Sequence, residues 1–220
     1  MFAIVGLVPN SIVRQGPMFN RKQFDETFSC FGVIPKPEVF AHLERLYRQE
    51  GRYYHTDQHV AECLVSLHRH LHLAEKPAEV ELAIWFHDAI YDPRRSDNEE
   101  QSAELARQVM TSAGIVDASI ARVERMIWAT KSHQAQGRDT ELMLDIDLEI
   151  LGQPPEAFYS YDQAIRKEYA WVPEAQYSVR RASVLRSFLS RSNIYCTSDF
   201  WSAYETQART NIEGRLKVLV

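Results

Sequence analysis

One apolar stretch, residues 80–90, constrains the fold of this chain more than any other. Between Val80 and Ile90 the only charged or ionisable residues are Glu81, His87 and Asp88. Burying a carboxylate beside an imidazole costs on the order of several kcal/mol unless both groups find partners. A divalent metal ion is a natural partner for such a pair. The stretch therefore predicts a buried helix that carries a metal-binding His-Asp pair, although the dipeptide alone also arises by chance.

Composition limits the classes of protein that need to be considered. The chain has 220 residues, of which 45% are hydrophobic and 25% charged, and this suits one globular domain. A net charge of -5 argues against a general nucleic-acid binder. Cys30, Cys63 and Cys196 are scattered, which indicates neither a disulfide framework nor a thiolate zinc site. We expect a cytoplasmic protein without a membrane span, because no apolar run reaches the roughly 18 residues required.

Helical patterns recur along the chain, and strand patterns are almost missing. Asn20 is suited to cap a first helix, and Pro37, Pro77 and Pro155 are suited to the first turns of others. Apolar residues at helical spacing follow each of these signals. We predict an irregular arm over residues 1–19, followed by a single all-α domain over residues 20–220 with about nine or ten helices.

Two histidines precede a helical apolar stripe. His55 and His59 are four residues apart, so on one helix they would project from the same face. His59 borders the stripe that contains Val60, Cys63 and Leu67, while His55 lies nearer the edge. The pattern favours His59 as an inner ligand and His55 as a group that faces a cleft. The alternative is a capping segment with surface histidines.

The segment 143–151 contains two aspartates with different expected environments. On a helical wheel Asp147 lies within about 60° of its apolar neighbours, whereas Asp145 lies about 160° away, alongside Glu149. Asp147 is therefore predicted on the buried face, where it needs a partner, and Asp145 is predicted to face water. An arginine or a helix cap is the alternative partner for Asp147.

Further candidates lie between these segments. His133 ends a helix before a polar loop, where a histidine either serves a site or only stabilises the helix dipole. Residues 96–99 read as a capping box that opens a helix. Glu99 and Glu100 already have an electrostatic role as acids in the first turn of that helix.

The ordered set His59, His87-Asp88 and Asp147 resembles the HD-domain superfamily of metal-dependent phosphohydrolases. Residues 54–59, Tyr-His-Thr-Asp-Gln-His, are similar to the Tyr-His-Asn-x-x-His stretch of cyclic nucleotide phosphodiesterases. Over roughly residues 20–215 the chain most resembles a bacterial group of predicted HD phosphohydrolases of unassigned substrate. This likeness includes residues 85–93, 97–103 and 145–152.

The resemblance implies a ligand set and roles for individual residues. It implies that His59, His87, Asp88 and Asp147 bind one divalent ion, and this mixed set suits Mn, Fe, Co, Ni or Zn. It implies that His55 is a general acid and that Asp88 holds the attacking hydroxide. Candidates to neutralise phosphate charge are Lys131, His133 and Arg166.

The chain departs from the phosphodiesterase pattern in one respect. Those enzymes have another histidine shortly after the His-Asp pair, and residues 89–93 of this chain contain none. A second ion, Mg or Mn, would therefore need ligands from Glu99, Glu100 or His133.

The expected function is hydrolysis of a small-molecule phosphate ester, a nucleotide or another phosphorylated metabolite, by metal-activated water. Two alternatives stay open. The first is a di-iron oxygenase of the inositol oxygenase type, which needs two irons and more histidine ligands. The second is a non-catalytic nucleotide-binding regulatory module that retains the metal site.

Overall fold

The computed structural model describes residues 19–219, and this part of the chain is entirely helical apart from its turns and loops. The arm predicted over residues 1–19 therefore lies, except for Phe19, outside the described residues. Ten α-helices are present in the described range, which confirms the predicted all-α class: α1 (Arg21–Ser29), α2 (Pro37–Tyr47), α3 (Asp57–Arg69), α4 (Pro77–Phe86), α5 (Asn98–Ala113), α6 (Asp117–Thr130), α7 (Arg138–Asp147), α8 (Pro155–Glu168), α9 (Glu174–Leu189) and α10 (Ser198–Leu219).

Local sequence signals set several of the helix ends. The Asn20 side chain accepts a hydrogen bond from the Gln23 backbone N–H, as expected of an N-cap. Three helices begin with a proline at Pro37, Pro77 and Pro155, where the missing N–H has no cost. These helix starts confirm the predictions made from the sequence.

Helix α4 is the centre of the fold, and it is packed against α1, α3, α5, α6 and α7. Its last residues, from Leu82 to Phe86, have no exposed surface. The Trp85 indole N–H donates to the Thr27 hydroxyl at 3.1 Å, and the Trp85 ring meets Phe24 edge-on with centroids 5.2 Å apart. Because α4 is enclosed on every side, its C-terminal end lies deep in the domain.

Two helix boundaries differ from those predicted. Helix α4 ends at Phe86, so that His87 and Asp88 lie in the turn that follows rather than within the helix. Helix α3 begins only at Asp57, so His55 lies before it and does not share a helix face with His59. Both residues still point towards one region, because the turn before α3 folds back against α8, as the hydrogen bonds below show.

The predicted capping box at residues 96–99 is wrong in its detail. Asp97, not Ser96, is the N-cap of α5, and its side chain caps no backbone N–H of the helix. The Asp97 carboxylate instead pairs with Arg95 at 2.6 Å. Because the Arg95 guanidinium binds this carboxylate, the Asp97 side chain does not cap the helix.

Asp145 does not face water. It has no exposed surface, and its carboxylate accepts hydrogen bonds of 2.7 Å from the backbone N–H groups of Cys196 and Thr197 and from the Thr197 hydroxyl. Burial raises the pKa of Asp145 to about 6. Helical periodicity did not predict this burial because both faces of α7 are covered: one packs on α4 and α6, and the other contacts the loop before α10.

The three cysteines are all free, and only Cys63 is buried. Within residues 19–219 no helix combines the length and the apolar character that a bilayer crossing requires.

Candidate metal centre

Four side chains predicted as ligands converge below the end of α4. His59 Nε2 lies 3.2 Å from His87 Nε2, 3.2 Å from Asp147 Oδ1 and 3.7 Å from Asp88 Oδ2. His87 Nε2 lies 3.0 Å from Asp88 Oδ2 and 3.5 Å from Asp147 Oδ1. His59 and His87 are almost fully buried, whereas both carboxylates retain some exposure. The carboxylates therefore form the open side of the cluster.

The spacing of these atoms fits the donors of a transition-metal ion. Donors about 2.1 Å from an ion are about 3.0 Å apart at a right angle and about 3.4 Å apart in a tetrahedron. The distances from His87 Nε2 and His59 Nε2 to their neighbours, 3.0–3.7 Å, span these values. His59, His87 and Asp88 offer donor atoms that all lie within 4.8 Å of one another, and Asp147 forms a second such group with His59 and Cys63. The residues present can hold one ion.

Each ligand is positioned by the end of a helix. His59 is in the first turn of α3, His87 and Asp88 follow α4, and Asp147 is the last residue of α7. His87 Nδ1 lies 2.9 Å from the Ile84 carbonyl oxygen and donates to it, which leaves the Nε2 lone pair directed at the cluster. Side chains at helix ends are thus brought together while their backbone groups remain satisfied.

The charges of the histidines and carboxylates in the cluster stabilise one another. Burial lowers the pKa of His87, but the charges of Asp88 and Asp147 outweigh it and hold that pKa well above its ordinary value. Burial raises the pKa of Asp147, but hydrogen bonds from His133, His59 and His87 outweigh it and hold the pKa well below its ordinary value. Burial likewise raises the pKa of Asp88, but the charge of His87 outweighs burial and lowers the pKa of Asp88.

His55 is held beside this cluster by a residue that the sequence analysis missed. His55 Nδ1 lies 2.7 Å from Glu168 Oε2, and Tyr91 donates its hydroxyl to the same oxygen at 2.8 Å. Glu168 Oε1 accepts the backbone N–H groups of Tyr53, Tyr54 and His55 at 2.7–3.0 Å. The carboxylate has no exposed surface. It therefore fixes both the turn before α3 and the ring of His55.

The protonation of this pair follows from its contacts. Burial raises the pKa of Glu168, yet its hydrogen bonds with His55 and with backbone N–H groups lower the pKa to about 2. Burial lowers the pKa of His55, but the charge of Asp88 and the hydrogen bond to Glu168 outweigh it and raise the pKa. An ionised Glu168 therefore favours the protonated form of His55 and accepts a hydrogen bond from its Nδ1–H.

A signal for Glu168 was present in the sequence. Phe158, Ile165 and Glu168 are buried at helical spacing along α8, so the glutamate lies on an apolar face. This is the argument that identified Asp147. Applied to α8, it would have marked Glu168 as a buried carboxylate in need of a partner.

Arg52 is a second residue that the sequence analysis missed. Its Nη1 donates to the carbonyl oxygens of His55 at 3.0 Å and Asp88 at 2.7 Å, and its Nη2 donates to that of Ala89 at 2.8 Å. The guanidinium lies over the Tyr91 ring, which stacks on His55 with centroids 4.1 Å apart. Arg52 therefore ties the segment of the proposed acid to the segment of the His-Asp pair.

His133 lies at the outer edge of the cluster. Its Nε2 is 3.3 Å from Asp147 Oδ2, the oxygen not directed at His59 and His87. Its backbone has φ of 49°, the left-handed region that favours glycine. Arg191 donates to the carbonyl oxygens of His133 and Ser132 at 2.9 and 3.0 Å and holds this conformation. Strain retained at such a position is a common feature of functional sites.

A cavity of about 560 Å³ opens on the carboxylate side of the cluster. His55, Asp88, Lys131, His133 and Asp147 all line it, so the structure brings every predicted catalytic residue to one space. Its volume is in the range of small-molecule sites. A second cavity, of about 480 Å³, lies on the other side of His59 and Asp147 and is lined by Cys63.

The predicted phosphate-binding groups differ in their availability. Lys131 lies at the cavity but its Nζ donates to the Ser96 carbonyl oxygen and pairs with Glu100 at 2.5 Å. Arg166 does not line the cavity, and its side chain contacts Glu174 and the carbonyl oxygen of Tyr169. Glu99 lines the cavity, whereas Glu100 is turned towards Lys131.

In comparisons with known proteins, no family model, no curated protein and no solved structure matches this chain.

Proposed function

We propose that this protein is a metal-dependent hydrolase of a phosphate ester, a member of the HD-domain type that its ligand order resembles. The observation that carries the proposal is that four proposed metal donors converge, and that two of them, Asp88 and Asp147, line one cavity together with the glutamate-held imidazole of His55. His59, His87, Asp88 and Asp147 would hold the ion, and the cavity would hold a small phosphorylated molecule. The mixed nitrogen and oxygen set suits Mn, Fe, Co, Ni or Zn.

The residues of the chain divide the chemistry between them. A divalent ion bound at the four donors supplies Lewis acidity towards the phosphoryl group and acidifies water. Asp88, which lies at the cavity, orients the attacking water by accepting a hydrogen bond from it. His55 donates its Nε2 proton to the leaving oxygen, while Glu168 keeps the imidazole protonated and correctly turned. His133 lies at the mouth of the site, where it would contact the phosphate, and Lys131 would join it by exchanging Glu100 for the phosphate.

The two alternative functions make different demands on the same site. A di-iron oxygenase would need a second set of ligands, for which the described residues offer His133 and Glu99 at the cavity. A regulatory nucleotide-binding module would not need a protonated imidazole held at 2.7 Å by a buried carboxylate. That pair favours the hydrolase.

The proposal is tested by metal analysis together with turnover. We expect the protein to retain about one equivalent of Mn, Co, Ni or Zn after dialysis and to hydrolyse aryl phosphomonoesters or phosphodiesters. Asp88→Ala should abolish metal-dependent turnover, and His55→Ala should lower the rate while the ion is retained. Asp117→Asn, on the exposed first turn of α6, removes the same charge away from the site and should change neither.

Three results would contradict the proposal. Full turnover in Asp88→Ala would show that catalysis does not depend on the metal centre. Loss of the ion in His55→Ala would make His55 a ligand rather than the acid. Two equivalents of iron and oxygen-dependent colour changes would favour the oxygenase.

A further inference from the structure

One wall of the 560 Å³ cavity is a stripe of α9 that leads away from the metal donors. Tyr177, Arg181 and Phe188 lie on this stripe and line the cavity. The Phe188 ring is 5.6 Å from the ring of His133, so this part of α9 lies beside the cluster. At a rise of about 1.5 Å per residue, Arg181 lies about 10 Å further along the helix. We call the part of the cavity lined by Tyr177, Arg180 and Arg181 the arginine end.

The arginine end carries more positive than negative charge. Arg181 Nε donates to Asp162 Oδ1 at 3.0 Å, and Arg215 Nε lies 2.6 Å from Asp162 Oδ2. Two guanidinium groups thus share one carboxylate, and within residues 19–219 neither has another ion pair. Arg180 lines the same part of the cavity at its exposed rim, and its side chain has no ion pair or hydrogen bond with another described residue. The excess of positive charge calls for an anion.

The same place contains hydrogen-bond donors without acceptors. Arg181 is only 8% exposed and Tyr177 only 4%. Neither Arg181 Nη2 nor the Tyr177 hydroxyl has a hydrogen-bond partner of good geometry among the described residues, and the Arg181 guanidinium also lies over the Tyr161 ring, 5.1 Å from its centroid. Leaving buried donors unpaired is costly, so such groups are usually satisfied by water or a ligand. Tyr177 and Arg181 are one helical turn apart, close enough to donate to a single oxyanion.

We propose that the arginine end binds a second oxyanion of the substrate, a carboxylate or a phosphate, while the phosphoryl group lies at the metal donors. The separation of the two groups is taken from the length of α9 between Phe188 and Arg181, about 10 Å. The substrate class is then an elongated phosphate ester with an anionic group at its far end. Arg180, Arg181 and Tyr177 bind this group and take no part in bond breaking. The assignment of the ligand as a substrate rests on the proposed function, whereas the binding of the second anion can be measured without turnover.

Phosphonates of defined length test this inference, since they are not hydrolysed. In the Mn-loaded protein, calorimetry compares 8-phosphonooctanoate, which spans about 10 Å between its charged groups, with the neutral-ended 8-hydroxyoctylphosphonate. We expect the carboxylate to bind at least about tenfold more tightly, as charge-assisted hydrogen bonds predict. The shorter 3-phosphonopropanoate should show no such gain over 3-hydroxypropylphosphonate. Octane-1,8-bisphosphonate shows whether phosphate or carboxylate is preferred.

Single-residue variants test which side chains cause the tighter binding of the carboxylate-ended phosphonate. Tyr177→Phe removes a hydroxyl that has no partner, so it should leave the Tm unchanged while the affinity for 8-phosphonooctanoate falls several-fold. Arg180→Met and Arg181→Met should reduce or abolish the preference for the carboxylate. Arg186→Met, an exposed arginine on the same helix outside the cavity, is the matched control and should leave it intact.

The outcomes separate this inference from the proposed function. The second-anion subsite is wrong if the wild-type protein shows no preference between the two long phosphonates, whether it binds both equally or binds neither. This conclusion holds even if the protein hydrolyses phosphate esters. A preference that survives in both Tyr177→Phe and Arg180→Met also overturns it. If the preference is found and depends on these residues but no ester is hydrolysed, the subsite stands and the proposed function fails.

Discussion

Glu168 lies 113 residues after His55 in the chain, yet its Oε2 is 2.7 Å from His55 Nδ1. One buried carboxylate thereby fixes the orientation of the imidazole and favours its protonated form. The same carboxylate accepts hydrogen bonds from three backbone N–H groups. This pair links the fold to the proposed chemistry, because the position of α8 decides whether the acid is available.

Replacing Glu168 by glutamine tests that link through the pH dependence of turnover. The wild-type pKa of His55 is raised, partly by Glu168, and the acid acts only while it is protonated. The variant loses that contribution, so the alkaline limb of the kcat profile should move to lower pH and kcat should fall about tenfold or more. Glu156→Gln, on the exposed side of α8, is the control. If the alkaline limb is unchanged in Glu168→Gln and the metal content is normal, Glu168 does not support His55 as the general acid.

The same carboxylate should contribute to stability in a pH-dependent way. The pKa of Glu168 is lowered from 4.5 to about 2 on folding, so its contribution is complete above pH 4.5 and is lost as the pH falls towards 2. The size of the shift corresponds to about 3 kcal/mol. The difference in unfolding free energy between wild type and Glu168→Gln should therefore shrink between pH 5 and pH 3 in chemical denaturation. A difference that is constant over this range would contradict the shift.

Substitutions of the two aspartates of α7 should have different effects, one on metal binding and the other on folding stability. Asp147→Asn is expected to lower metal affinity strongly, because one of the four proposed donors is lost. Asp145→Asn should retain the metal but lose about 1–3 kcal/mol, because an amide cannot accept all three hydrogen bonds from Cys196 and Thr197. Metal stoichiometry and urea unfolding measure the two effects. Loss of metal in Asp145→Asn at full stability would reverse the assignment.

Two substitutions of His133 distinguish the strain of its backbone from the function of its imidazole. Its φ of 49° suits glycine, so His133→Gly should be about 1 kcal/mol more stable than His133→Ala. Both variants lose the contact between the imidazole and Asp147 and should show the same fall in turnover. Thermal unfolding gives the first comparison and steady-state kinetics the second. Equal stability of the two variants would mean that the backbone relaxes elsewhere.

Arg52 should matter to both stability and the site. Lysine in its place keeps the charge but cannot donate to the carbonyl oxygens of His55, Asp88 and Ala89 together. We expect Arg52→Lys to lose about 2 kcal/mol and to bind the metal more weakly, whereas the exposed Arg45→Lys should do neither. Circular dichroism in urea and metal titration provide the measurements. A variant as stable as wild type with full metal affinity would show that these bonds are dispensable.

Local sequence determined the parts of this protein that depend on local physics. Proline at helix starts, an asparagine cap and apolar residues at helical spacing predicted the all-α class. The same periodicity placed His59 and Asp147 on inward faces, because helix geometry fixes which side chains share a face. The apolar character of residues 80–86 required α4 to be buried and carried His87 and Asp88 into the domain.

Tertiary structure alone decided which distant groups meet. Asp145 is buried because Cys196 and Thr197, some 50 residues later, bring backbone N–H groups to it. His55 has its partner on α8, and Arg52 reaches the turn after α4, although no local spacing links these segments. Helical periodicity describes one helix at a time, whereas these contacts depend on how separate helices pack. The sequence thus identified the proposed metal donors, and the packing of α8 and α9 decided the partner of the proposed acid and the arginine end of the cavity.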